Sequence, residues 1–112
     1  MENEYDLIVL AQVNDFIESL PDKEKLILKA TVDTLKRKDF DSIHAKTLKG
    51  PIKELIVKRR RFIFCIENDT IYFLKAFTKK TQKTPRNEIE ISEKLYKLLV
   101  KQLQLIKNQD EK

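Results

Sequence analysis

Three apolar runs, residues 52–58, 61–67 and 71–77, follow one another with almost no chain between them. Arg59-Arg60 separates the first two, and Asn68-Asp69, with or without Thr70, the second two. Connections this short cannot make a crossover, so the runs predict antiparallel hairpins. Alternation puts Phe62, Phe64 and Ile66 on one face of the middle strand and Arg61, Ile63, Cys65 and Glu67 on the other. How the third strand joins these faces depends on the turn. A two-residue loop pairs Cys65 with Tyr72 and Phe64 with Phe73, and leaves Lys75 on the side of Phe62. A three-residue loop pairs Ile66 with Tyr72, Phe64 with Leu74 and Arg61 with Phe77. An unpaired buried lysine is costly, which favours the three-residue loop without excluding the other. That register predicts Phe62, Phe64, Tyr72 and Leu74 together beneath the helices, with Arg61, Lys75 and Phe77 on the opposite face.

The flanks read as helices. Residues 5–10 suit either a short strand or the start of a helix. Leu10, Val13, Phe16, Ile17 and Leu20 have helical spacing, and Pro21 ends that helix and opens a second. Leu28, Val32 and Leu35 line the second helix, which closes in Lys36, Arg37 and Lys38. Two helices joined so closely predict an αα-hairpin. Residues 39–49 show no period and read as a connection, with His44 as a surface residue. Gly50-Pro51 marks a turn. A last helix is expected from Thr84, as its cap, to about Lys107, with the final residues, 108–112, frayed. The whole, residues 1–112, reads as a single α+β domain.

Charge is distributed unevenly. Residues 1–45 carry a net −4, residues 46–86 a net +9 from 12 Lys/Arg against 3 Asp/Glu, and the remainder is neutral. A concentrated positive segment is the footprint of a polyanion binder. One cysteine, Cys65, cannot form an internal disulfide, which points to a reducing compartment. Met1-Glu2-Asn3-Glu4 is acidic where a signal peptide would be basic, and no apolar run approaches membrane-spanning length. The expectation is a cytoplasmic protein with no membrane partner.

The chemistry available is narrow. One Cys and one His exclude a metal cluster of the usual ligands, and one Gly excludes a glycine-rich phosphate loop. No metal or cofactor is expected. RNA cleavage needs neither, because the substrate's 2′-OH can be the nucleophile while cations stabilise the phosphorane-like transition state. A lysine crowded by other cations loses its proton more readily and can act as a base. Arg61 starts a strand and Lys79-Lys80 follow the end of its neighbour, so these cations converge, with Lys75 near them. Lys49, Lys53, Lys58, Arg59, Arg60 and Lys83 add phosphate-binding charge, and Phe77 can stack on a base.

Three segments carry a resemblance. They are Leu48-Lys49-Gly50-Pro51-Ile52-Lys53-Glu54-Leu55, then Arg61-Phe62-Ile63-Phe64, then residues 77–85, FTKKTQKTP. Ser19-Leu20-Pro21-Asp22-Lys23 adds a fourth phrase. Together they resemble HigB-type toxins of the RelE/ParE superfamily, in its phage-derived branch, over roughly residues 13–100. The resemblance implies a RelE-like α+β fold: a helical hairpin packed on a small antiparallel β-sheet with a C-terminal helix. It implies the toxin of a type II toxin–antitoxin system, held by a cognate antitoxin of helix-turn-helix type. The implied activity is a metal-independent, ribosome-dependent mRNA endonuclease that inhibits translation. The alternatives are a ParE-like toxin acting on DNA gyrase and a basic RNA-binding accessory protein. It carries over Arg61 and the segment Lys79-Lys80-Thr81-Gln82-Lys83. Ile56 stands where the family often has arginine and Lys75 where a histidine is common, and the N-terminal strand is shortened.

Overall fold

The Asn68-Asp69 turn sets the register of the sheet. In the computed structural model, which describes residues 3–110, both turn residues have positive φ, 51° and 60°. This is the backbone of a two-residue hairpin loop, and Asn and Asp tolerate it better than other side chains. The turn joins β4 (Arg60–Glu67) to β5 (Thr70–Thr78), with Ile66 opposite Ile71, Cys65 opposite Tyr72 and Phe64 opposite Phe73. The three-residue loop is therefore not formed. A bulge between Ile63 and Phe64 then shifts the register, so that Ile63 faces Lys75 and Arg61 faces Phe77. The extra residue in β5 keeps Lys75 out of the core through a bulge rather than a longer turn. Arg61, Lys75 and Phe77 do share a face, but Tyr72 and Leu74 lie on that face too, away from Phe62 and Phe64.

The remaining strands extend this pair into a five-stranded sheet of order β1-β5-β4-β3-β2. β3 (Ile52–Val57) pairs antiparallel with β4 through a Lys58-Arg59 turn, one residue earlier than the Arg59-Arg60 expected. β2 (Ala45–Lys49) pairs antiparallel with β3 across Gly50, whose φ of 52° suits glycine. Part of the expected connection is thus a strand, preceded by a single 3-10 turn at Phe40–Ser42. β1 (Asp6–Val9) settles the open reading of residues 5–10 as a strand, and it runs parallel to β5. Past its end, the Gln12 side chain continues the pairing, donating to the Ala76 carbonyl at 3.1 Å and accepting from the Ala76 N–H at 3.0 Å.

One face of the sheet is covered by the helical hairpin, α1 (Ala11–Glu18) and α2 (Asp22–Lys36). Pro21 holds an extended backbone before α2 and so sets the corner. Val13, Leu28, Val32 and Leu35 close over Leu55, Phe62, Phe64 and Phe73, all buried. The Phe62 ring meets the edge of Phe16 at 5.9 Å and a tilted Phe73 at 5.8 Å, separations that favour aromatic contact. The other face is covered by α3 (Arg86–Asp110), about 37 Å long at 1.5 Å per residue. Its Leu95, Leu99 and Leu103 pack on Ile52, Ile63, Cys65, Tyr72 and Leu74. The helix starts two residues after Thr84 and extends past Lys107; of the segment expected to fray, Glu111 and Lys112 lie outside the described residues. None of the described helices is long and apolar enough to cross a membrane.

Candidate nucleic-acid interface

At the end of the sheet away from Asn68-Asp69, α3 has not yet begun and the sheet face is open. The Lys58-Arg59 turn projects there, with Lys58 at φ 58° and both side chains exposed. Arg61 points to the same face and is only 9% exposed. Its Nη1 donates to the carbonyl of Lys58 at 2.6 Å and to that of Arg60 at 3.1 Å, so the guanidinium is folded onto its own turn. Its Nε is buried with no hydrogen-bond partner. The Lys79 N–H donates to the Arg59 carbonyl at 2.8 Å, which carries the β4–β5 pairing one step further and holds Lys79 beside the turn.

These elements enclose an open dish of about 430 Å³ lined by Lys58, Arg59, Arg61, Lys79, Lys80, Thr81 and Gln82. Five of the seven are cations and none is a carboxylate. Their mutual repulsion is left for a bound anion to relieve, and the fork of Arg61 beside lysine point charges suits a phosphodiester. Thr81 and Gln82, which the family resemblance carried over between Lys80 and Lys83, join the cations here.

Not all of the expected residues arrive at the dish. Lys75 stands on the same face but its ammonium lies 3.5 Å from a Glu88 carboxylate oxygen under the start of α3, and it does not line the dish. Phe77 sits directly opposite Arg61 and is half-buried against the α3-side core. Lys83 is exposed in the segment beyond the dish, with its carbonyl accepting from the Thr81 hydroxyl at 2.8 Å. Lys49 pairs with Glu93 at 3.1 Å beside the other end of the sheet. Lys53 points to the hairpin side, its ammonium 3.3 Å from the Thr47 hydroxyl.

Arg60 faces the hairpin as well. Its Nε and Nη2 donate to the two oxygens of Glu24 at 2.8 and 3.2 Å, and its Nη1 donates to the Thr78 hydroxyl at 2.5 Å. This bidentate bond holds the Glu24 carboxyl below its usual range and ties α2 to the sheet. Charge alone could not distinguish Arg60 from Arg61; the pleat puts neighbours on opposite faces.

The segment from Lys79 to Pro85 is anchored at its far end. The Thr84 hydroxyl donates at 2.7 Å to Glu54, a fully buried carboxylate on β3 whose other oxygen lies 3.6 Å from the Lys46 ammonium. Thr84 thus serves Glu54, and the Pro85 carbonyl accepts the first bonds of α3 from Glu88 and Ile89. Glu54 thus holds both a neighbouring lysine and this segment.

Other reactive groups lie outside the dish. Burial, reinforced by the Glu67 charge, pushes the Cys65 thiol up to about 12, so it is no nucleophile at neutral pH. Burial and the Glu67 carboxylate, which accepts from its hydroxyl at 3.1 Å, likewise raise Tyr96. His44 is exposed, and its carbonyl takes the Ile56 N–H. Among the described residues no group of three or more His, Cys, Asp or Glu side chains is placed to hold a metal ion.

The fold is that of RelE-like proteins. A chain of the RelB–RelE antitoxin–toxin complex from Methanococcus jannaschii is similar with a TM-score of 0.55 at 13% identity, covering 63% of this chain and 88% of that one. One from the archaeal RelE–RelB complex of Pyrococcus horikoshii gives 0.54 at 20% identity, covering 67% and 94%. One from the toxin–antitoxin complex RelBE2 of Mycobacterium tuberculosis gives 0.51 at 18%, covering 68% and 99%. Within this fold the chain belongs to the phage derived protein Gp49-like family (DUF891), whose profile matches residues 15–97. No curated protein matches it.

Proposed function

We propose that this chain is the toxin of a type II toxin–antitoxin pair, of HigB type, and that it cleaves mRNA on the ribosome in the cytoplasm. The observation that carries the catalytic part is the dish: five cations without a carboxylate, brought together by two adjacent hairpin ends. The similar folds found in toxin–antitoxin complexes support the toxin role. In the reaction the 2′-oxygen attacks phosphorus, the bond to the 5′-oxygen breaks, and a 2′,3′-cyclic phosphate and a 5′-hydroxyl result. Arg61, at the start of β4, meets the non-bridging oxygens with the part of its guanidinium not bound to the Lys58 and Arg60 carbonyls, as charge builds on them. Lys80, the most exposed of the dish lysines on the segment after β5, gives its proton to the departing 5′-oxygen, and Lys79 adds charge from the wall. The dish is lined by no carboxylate or histidine, so the 2′-OH proton goes to a dish lysine in its neutral form, which neighbouring cations favour, to water or to a ribosomal group. A site without a carboxylate or histidine base supports dependence on the ribosome.

The antitoxin, by the family resemblance a helix-turn-helix protein, has a separate place to dock. Between α3 and the β1–β5 edge runs an apolar trough of about 380 Å³ lined by Leu10, Tyr72, Leu74, Leu98 and Leu105 among others. Leu98 is 62% exposed and Leu105 56%. The flanking Lys94, Lys97 and Lys101 are exposed, which favours an acidic amphipathic segment over a second copy of this lysine-flanked face. The test of function is direct. Ribosomes carrying a defined mRNA are incubated with the purified chain, and mRNA ends are mapped. New ends within the A-site codon are expected. Growth arrest with intact mRNA and inhibited DNA supercoiling would replace the nuclease reading by the gyrase one.

A further inference from the structure

Lys58 and Arg59 line a second cavity as well as the dish. It lies behind the turn, on the hairpin side of the sheet, and measures about 540 Å³. Its walls come from Lys23 at the start of α2, from the Arg60–Glu24 pair, and from the apolar surfaces of Pro21 and Ile27. The turn is therefore a ridge with a basic hollow on each side.

We propose that this rear cavity is a second RNA subsite, reached by a single strand that leaves the dish over the Lys58-Arg59 turn. The proposal rests on the reading of the dish as an RNA site and extends it. Three observations carry it. The two hollows share two cations, so a polyanion leaving one meets no gap in positive charge before the other. The one carboxylate in the rear wall, Glu24, is bound on both oxygens by Arg60, which leaves Lys23, Lys58 and Arg59 to meet phosphates. Pro21 and Ile27 put apolar surface beside those cations, and a nucleotide, with its flat base and its charge, uses both where a small anion uses one. The Arg60–Glu24 bond also fixes α2 against the sheet, so the rear wall keeps its distance from the ridge.

The test compares 2′-O-methyl oligoribonucleotides of about 4 and about 12 residues, lengths that bracket one and several subsites. Binding to the full chain is followed by fluorescence anisotropy across salt concentrations. The longer strand is expected to bind at least tenfold tighter. Lys23→Ala should weaken the long strand several-fold and lower its salt slope by about 0.7, the loss of one single-strand phosphate contact, without touching the short one. Lys25→Ala, on the same helix but outside the cavity, should change neither. A double change at Lys58 and Arg59 should weaken both. Tight short-strand binding with no gain from length overturns the subsite alone. A Lys23→Ala effect on antitoxin binding, with RNA length dependence intact, assigns the cavity to protein and also overturns it. If the parent chain binds neither strand in a salt-dependent way, the dish reading falls, and the subsite with it.

Discussion

The two faces of the sheet are covered differently. On the hairpin side, α1 and α2 close over a continuous aromatic and aliphatic core, the arginine that points there, Arg60, is tied to Glu24, and the rear cavity lies at the rim, behind the Lys58-Arg59 turn. On the other side a single helix lies across the sheet. It leaves the basic dish open at one end and an apolar trough beside its far half. Two helices supply enough apolar surface to close the middle of a face and leave a hollow only at its rim; one helix does not, and the apolar surface it leaves uncovered is available to partners.

This contrast predicts where substitutions destroy the fold and where they destroy only binding. The largest effect is expected on the sealed side. Phe62→Ala removes a fully buried ring and should cost about 3–5 kcal/mol, enough to consume much of a small domain's stability; urea denaturation measures it. If Leu98→Ala cost as much, the two faces would not differ as described.

Next comes the dish. Lys80→Ala should lower mRNA cleavage on ribosomes about 10²–10³-fold, the usual effect of losing a transition-state donor, with thermal melting unchanged. Arg61→Ala should lose as much activity and some stability too, because its guanidinium also braces the turn carbonyls. Lys36→Ala, basic but on α2 and outside the dish, is the control. Parental rates from Lys80→Ala and Arg61→Ala would move the active site elsewhere.

A smaller effect is expected at the trough. Leu98→Asp should weaken antitoxin binding by tenfold or more, as placing a like charge against an acidic segment in an apolar contact would, while RNA affinity holds. Calorimetry with the cognate antitoxin would show it; unchanged affinity would shift the antitoxin to another surface.

The smallest is a pH effect on the sealed side. Glu24 has its pKa lowered in the folded chain, so the stability from its bond to Arg60 is present above the unfolded value of about 4.3 and lost as pH falls through the folded one. Glu24→Gln should therefore lower Tm at pH 7 by a few degrees at most, and the gap to the parent should close in acid. A gap that persists at pH 3 would mean the contact acts through packing rather than charge.

Much of the architecture was legible in the sequence because its signals are local. Helical spacing and Pro21 place α1 and α2, and short connections make β3, β4 and β5 antiparallel neighbours. The convergence of Arg61, Lys79 and Lys80 followed from the same hairpin, since the start of one strand lies beside the end of the next. Residues 19–23, 48–55, 61–64 and 77–85 carried the likeness to a phage-derived branch, and the matched phage derived Gp49-like family spans them.

What the sequence could not settle is non-local. The edge strand β2 has no clear alternation, so only pairing with β3 makes it a strand. β1 becomes a strand because β5, more than sixty residues away, offers it a parallel edge. Alternation assigns faces within a strand, but the turn length decides how two strands combine and a bulge resets the register. The two-residue Asn68-Asp69 turn puts Tyr72 and Leu74 under α3 rather than with Phe62, and the bulge at Leu74, which nothing nearby announces, brings Lys75 and Phe77 to that same face. Charge is additive along a chain but paired in space. Lys75 meets Glu88, Arg60 meets Glu24 and Lys49 meets Glu93, each across a distance in sequence that only folding closes. The chain alone determined that there would be a basic hairpin end. The tertiary structure decided which of its cations are left without a carboxylate.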